Sequence, residues 1–149
     1  MLAKWRRNAI CRSFVFVGLP LLLGSCVYVL FRKKRPVLIN NYQVLEELRL
    51  KLEQISPTIS NNYFLKYNFP DAAWAFALMA AILLSVEKEK PQLKNVYITV
   101  TVLLVVLCET LQIGLIRGTF DALDLVWELI AAGLCVVILR NKNHDKNLS

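Results

Sequence analysis

At 149 residues, 56% hydrophobic and with a mean hydropathy of +0.47, the chain is too apolar for an ordinary soluble domain. The net charge of +7 does not point to nucleic acid, because Lys and Arg collect at the edges of apolar runs instead of lining one face. Four scattered cysteines with no paired spacing and a lone His144 exclude a disulfide framework, a zinc site and Ser-His chemistry.

In chain order, a basic start (Lys4, Arg6, Arg7, Arg12) precedes Ser13 to Phe31, 19 residues without a charge and long enough to span a bilayer as a helix. Pro20, between Gly18 and Gly24, predicts a kink of the kind that membrane helices tolerate. Leu23-Gly24-Ser25-Cys26 resembles a lipoprotein cleavage box, but the apolar run continues beyond Cys26, which favours a retained span. Arg32 to Arg35 and Pro36 close it. Tyr42 to Ile55 then places Leu45, Leu48, Leu52 and Ile55 at helical spacing with charges largely elsewhere, the pattern of an amphipathic helix lying on the membrane in the first loop. Pro57 and the Ser/Asn cluster around it break that helix.

Phe69-Pro70-Asp71 reads as a helix start capped by Asp71, opening a short second span over about 71–87 with Trp74 near the interface. Glu87 to Pro91 forms a polar hairpin. A third span follows over about 93–113, then a tight connection, then a fourth span over about 120–139 capped by Thr119 or a neighbour. The expected fold is therefore all-α: a polytopic membrane protein in one domain, 1–149, of four transmembrane helices plus an interfacial helix. Ten of the 18 basic residues fall at the amino end, the second loop and the tail, and eight in the first and third loops, which leans towards cytoplasmic termini.

The stretch from Glu109 to Glu128 holds most of the chemistry. Glu109 and Gln112 share one helical face, and so do Asp121, Asp124 and Glu128; a short loop makes their helices antiparallel neighbours, with Arg117 above them. Ionisable groups at membrane depth cost at least ~2.5–3.5 kcal/mol each on insertion scales, so they face one another or a wet cavity. One guanidinium cannot pair several carboxylates, so either some acids hold protons or a cation binds. Glu109, Asp121 and Asp124 are thus candidate acid/base or cation groups, and Gln112, Arg117 and Glu128 candidate ligand contacts. No metal-ligand pattern is present and no cofactor is implied. The plainer alternative is that the same groups lock two helices together.

Glu109-xx-Gln112, Arg117-Gly-Thr-Phe-Asp121-xx-Asp124-Leu125 and a small-residue helix with Gly133 resemble the VanZ-like family of small bacterial membrane proteins. Phe69-Pro70-Asp71-Ala-Ala-Trp74 is similar to a Leu-Pro-Asp-x-x-Trp element of short relatives, so the resemblance covers 69–139. The chain departs from it at Glu128 and Ala131. The resemblance implies a multi-pass protein of the bacterial inner membrane, associated with teicoplanin resistance. Its partners would be membrane lipids, an envelope lipid or another protein, and not nucleic acid. A non-catalytic membrane subunit or bilayer-perturbing effector in a defence or toxin system is the competing expectation.

Overall fold

A computed structural model describes residues 9–31, 47–48, 50–51, 54, 62–112 and 121–145, with side chains described to Arg140. The described residues are all-α, and among them are four helices long and apolar enough to cross a membrane: α1 (Ala9–Phe31), α2 (Phe64–Ser85), α3 (Pro91–Leu111) and α4 (Ala122–Asp145). The apolar window of α4 ends at Arg140. Of the amphipathic segment, Glu47, Leu48, Leu50, Lys51 and Gln54 are helical, and its other residues lie outside the described ones.

The second helix starts earlier than the sequence suggests, which overturns the cap assigned to Asp71. Asn62 accepts the Leu65 amide on its side-chain oxygen at 3.1 Å and so caps the first turn. Asp71 lies two turns inside. Pro70 does not break the helix because the preceding turn, Phe64–Asn68, is π-helical, with the Phe69 amide bonding to the Phe64 carbonyl. That wider turn relieves the clash between a proline ring and the carbonyl one α-turn back. The same device recurs in α1, where the π-turn Phe14–Gly18 precedes Pro20. In both helices the turn ends two residues before the proline.

Helix α2 is the centre of the bundle. Half of its apolar window is buried (50%), against 11% for α1, 17% for α3 and 28% for α4. Its Ala72, Ala75, Met79, Ala80 and Leu83 are buried, and the last three meet Ala132, Cys135 and Leu139 of α4 in the core. The most extensive packing is between α2 and α4, then α1 on α2. Small residues set the α1–α2 approach: a Cβ at Gly24 would stand 3.0 Å from the Ala73 Cβ and 3.2 Å from the Pro70 carbonyl oxygen. Outward faces of α1, α3 and α4 carry exposed Leu, Val and Ile, as helices facing lipid do.

The charges separate by end. At one end Arg12 binds both Glu87 oxygens at 2.7 and 2.8 Å, Lys94 donates to the Glu87 carbonyl at 2.6 Å, and Arg140 donates to Asn95. The start of α1, the 86–90 turn and the far part of α4 therefore meet there. Asp121, Asp124, Glu109 and Glu128 lie towards the opposite end.

Candidate acidic site

Helix α4 begins with Asp121, whose side-chain oxygen accepts the Leu123 amide at 2.9 Å while its carbonyl accepts the Asp124 amide at 3.0 Å. Asp121 is therefore the cap; Thr119, expected in that role, lies outside the described residues, as does Arg117. The other Asp121 oxygen accepts the Tyr63 hydroxyl at 2.9 Å, and this bond holds the Tyr63 phenol above its ordinary range. Tyr63 is exposed and Asp121 half-buried at the bundle end.

One turn further in, Asp124 is buried, 6% exposed, and accepts the side-chain amide of buried Asn68 at 2.6 Å. Trp127 meets Phe64 edge-on at 4.6 Å between ring centroids. Positions 63, 64 and 68 of α2's entry thus clasp positions 121, 127 and 124 of α4. The Tyr63–Asp121 and Asn68–Asp124 bonds thus join α4 to α2, a link that the sequence, which paired α3 with α4, did not place.

Helix α3 contributes Glu109, 4% exposed, whose Oε2 accepts the Gln112 side-chain amide at 2.6 Å; the expected shared face is present. Glu128, one turn beyond Asp124, is 5% exposed, and its Oε2 is buried with no hydrogen-bond partner among the described residues. Its carboxylate lies within electrostatic reach of Glu109, Asp71 and Asp124. Acids from α2, α3 and α4 therefore converge on Glu128. Asp71, read from the sequence as a cap, belongs to this cluster instead.

Asp121 stands apart, as cap and Tyr63 partner. The sequence missed Asn68 and Tyr63, which it assigned to a connection; the pattern Asn62, then Tyr63, Phe64, Tyr67 and Asn68 at helical spacing is the signal that would have found them. Among the described residues, no three His, Cys, Asp or Glu side chains are placed to hold a metal ion.

Fold and site define a small membrane-embedded helical protein with a buried cluster of acids at one end of its bundle. No family model, curated protein or solved structure matches the chain.

Proposed function

We propose that this chain is a multi-pass protein of the bacterial inner membrane, of the VanZ-like kind, whose buried acids serve an envelope-lipid or glycopeptide-response step. Glu128, Asp124, Glu109 and Asp71 are the acid/base groups, Gln112 and Asn68 orient them, and Asp121 frames the entrance. With Arg12, Lys94 and Arg140 at the cytoplasmic face, the positive-inside rule directs the acidic end outwards, where envelope lipids are met.

The observation that carries this reading is the buried Glu128 oxygen with no hydrogen-bond partner among the described residues, within electrostatic reach of three further carboxylates. An unsatisfied buried acceptor costs about 1–3 kcal/mol, more when charged. A purely structural cluster would shed that cost by carrying Gln or Leu there. Retained cost of this kind marks functional sites.

The scaffold reading has its own support: Asn68 clamps Asp124, and Asp121 is a helix cap. The two part on Glu128→Gln. Wild-type protein should lower teicoplanin susceptibility relative to empty vector, and Glu128→Gln should lose that effect at equal membrane abundance and thermal stability. Full protection retained by Glu128→Gln, with unchanged or improved stability, would hand the cluster to the scaffold.

A further inference from the structure

The net charge of this protein belongs to one end of the bundle. In sequence, the segments before Ser13, from Glu87 to Lys94 and from Arg140 onwards hold ten bases and three acids: Glu87, Glu89 and Asp145. All other segments hold eight bases and eight acids, so the whole +7 falls to the segments that meet where α1 starts, α2 turns into α3 and α4 finishes. Three carboxylates cannot neutralise ten cations, however they pair. That end needs anions from outside the chain.

The described part of this end has a definite seat. Arg12, Glu87, Lys94 and Arg140 line a notch over the side chains of Leu83, Leu84 and Leu139. Arg12 takes both oxygens of the Glu87 carboxylate, at 2.7 and 2.8 Å. Lys94 donates instead to the Glu87 backbone carbonyl at 2.6 Å, and Arg140 to the side-chain oxygen of Asn95. A neutral acceptor satisfies a donor and leaves the charge in place, so three cations share one carboxylate around the notch. An ammonium carries three donors and a guanidinium five, in a geometry suited to phosphate oxygens.

Depth points to the occupant. Lys94 lies in the first turn of α3, and Arg140 is where the apolar window of α4 ends, which puts both at the level of lipid headgroups. The notch holds about 30 Å³, room for a water-sized group such as one phosphate oxygen and not for a whole headgroup. Val96 and Val137, within one turn of Lys94 and Arg140, are exposed and offer an acyl chain an apolar track beside the charged pair. An acidic protein segment would supply the charge but has no use for leucines and valines at that boundary.

We propose that this notch seats an anionic phospholipid, one phosphodiester oxygen between Lys94 and Arg140 and the chains along α3 and α4. The inference requires a membrane-embedded bundle and is independent of what the acids at the other end do.

The full-length protein, purified in a neutral maltoside detergent, is titrated with phosphatidylglycerol and with phosphatidylcholine of the same chains. Glycerophosphate serves as the soluble phosphate ester and an oligoglutamate peptide as the acidic polymer. Native mass spectrometry counts bound lipids, and the shift in thermal unfolding reads affinity. Phosphatidylglycerol should saturate at least about tenfold more tightly than phosphatidylcholine, and high salt should weaken it. Lys94→Gln and Arg140→Gln should each weaken it about fivefold. Asn95→Asp, which gives Arg140 an internal counter-ion at an exposed position, should weaken it by a similar factor with the fold unharmed. Lys66→Gln removes the same charge at the acidic end and should leave binding within about twofold of wild type.

Equal binding of the two lipids, or equal weakening by Lys66→Gln and Arg140→Gln, would overturn the seat. Tighter binding of glycerophosphate or oligoglutamate than of phosphatidylglycerol would replace the lipid with a soluble anion or an acidic partner. If Lys94→Gln or Arg140→Gln unfolds early, Asn95→Asp decides, and an unaltered lipid preference there overturns the seat.

Discussion

Asn68→Leu is the sharpest probe of how the bundle end is held together. The wild-type amide reaches Asp124 at 2.6 Å with both side chains buried, a short bond consistent with a charge-assisted one. Hydrogen bonds to charged groups contribute about 1.5–3 kcal/mol in soluble proteins. Interhelical bonds in membrane proteins average ~0.6 and reach ~1.7, because the unfolded chain in a membrane also finds partners. Combining the two scales gives about 1–2 kcal/mol for this pair, or a 5- to 30-fold change in the folded-to-unfolded ratio. Leucine keeps the volume, so the loss reports the bond and not a cavity. The assay is equilibrium unfolding in mixed detergent, followed by far-ultraviolet circular dichroism, on Asn68→Leu, Asp124→Leu and the double variant. Removing both partners should cost about 1–2 kcal/mol less than the two single changes added together. A coupling energy within ~0.3–0.5 kcal/mol of zero, the usual spread for independent sites, would refute the clasp.

Further outcomes follow from the same geometry. Gly24→Val forces side-chain atoms against Ala73 and the Pro70 carbonyl, and should destabilise the α1–α2 packing by about 1–3 kcal/mol in the same unfolding assay. Gly133→Ala should be neutral or raise stability by up to about 1 kcal/mol, since a Cβ there meets nothing within 4 Å. The Arg12–Glu87 pair is about a quarter to a third exposed (24% and 32%), so Arg12→Gln should cost no more than about 1 kcal/mol and less at high salt. Tyr63 has a raised phenol pKa through its bond to Asp121, so that bond stabilises the fold below the unfolded phenol's pKa and is lost as pH rises through the folded one. In ultraviolet titration the absorbance difference between wild type and Tyr63→Phe should develop at higher pH than for a free tyrosine.

Hydropathy made the four spans legible, because a bilayer demands long uncharged runs and this chain has them. What it hid was the entry to α2. Proline after a polar stretch favours a helix start, and Lys66, Tyr67 and Asn68 lower the local hydropathy, so Asp71 looked like a cap. The π-turn that carries the helix through Pro70 has no sequence period of its own. Losing that entry removed Tyr63, Phe64 and Asn68 from view, and with them the α2–α4 clasp. Asp124, Glu128 and the Glu109–Gln112 pair were legible because three- and four-residue spacings translate directly into shared faces. Asp71, read as a cap, lies two turns inside the helix instead.

Burial by protein explains how so many acids are tolerated together. Counting 1.5 Å per residue from the helix ends, Glu109 is about 3 Å, Glu128 about 9 Å and Asp71 about 10 Å inside the bundle. A hydrocarbon core about 30 Å thick has its midplane about 15 Å from either boundary, so on this count Glu109 is close to the boundary while Glu128 and Asp71 are well inside one leaflet. Ionisable groups at such depth face the bundle interior and not lipid. Glu109, Asp124 and Glu128 are accordingly buried by the protein itself. Small residues of α2 allow the close packing that shuts water out around Glu128, while α1 stands off enough beside Asp71 to leave a cleft. The clasp to α4 and the cleft beside α1 belong to the same helix, and that makes α2, more than the acid-rich α4, the element on which the site depends.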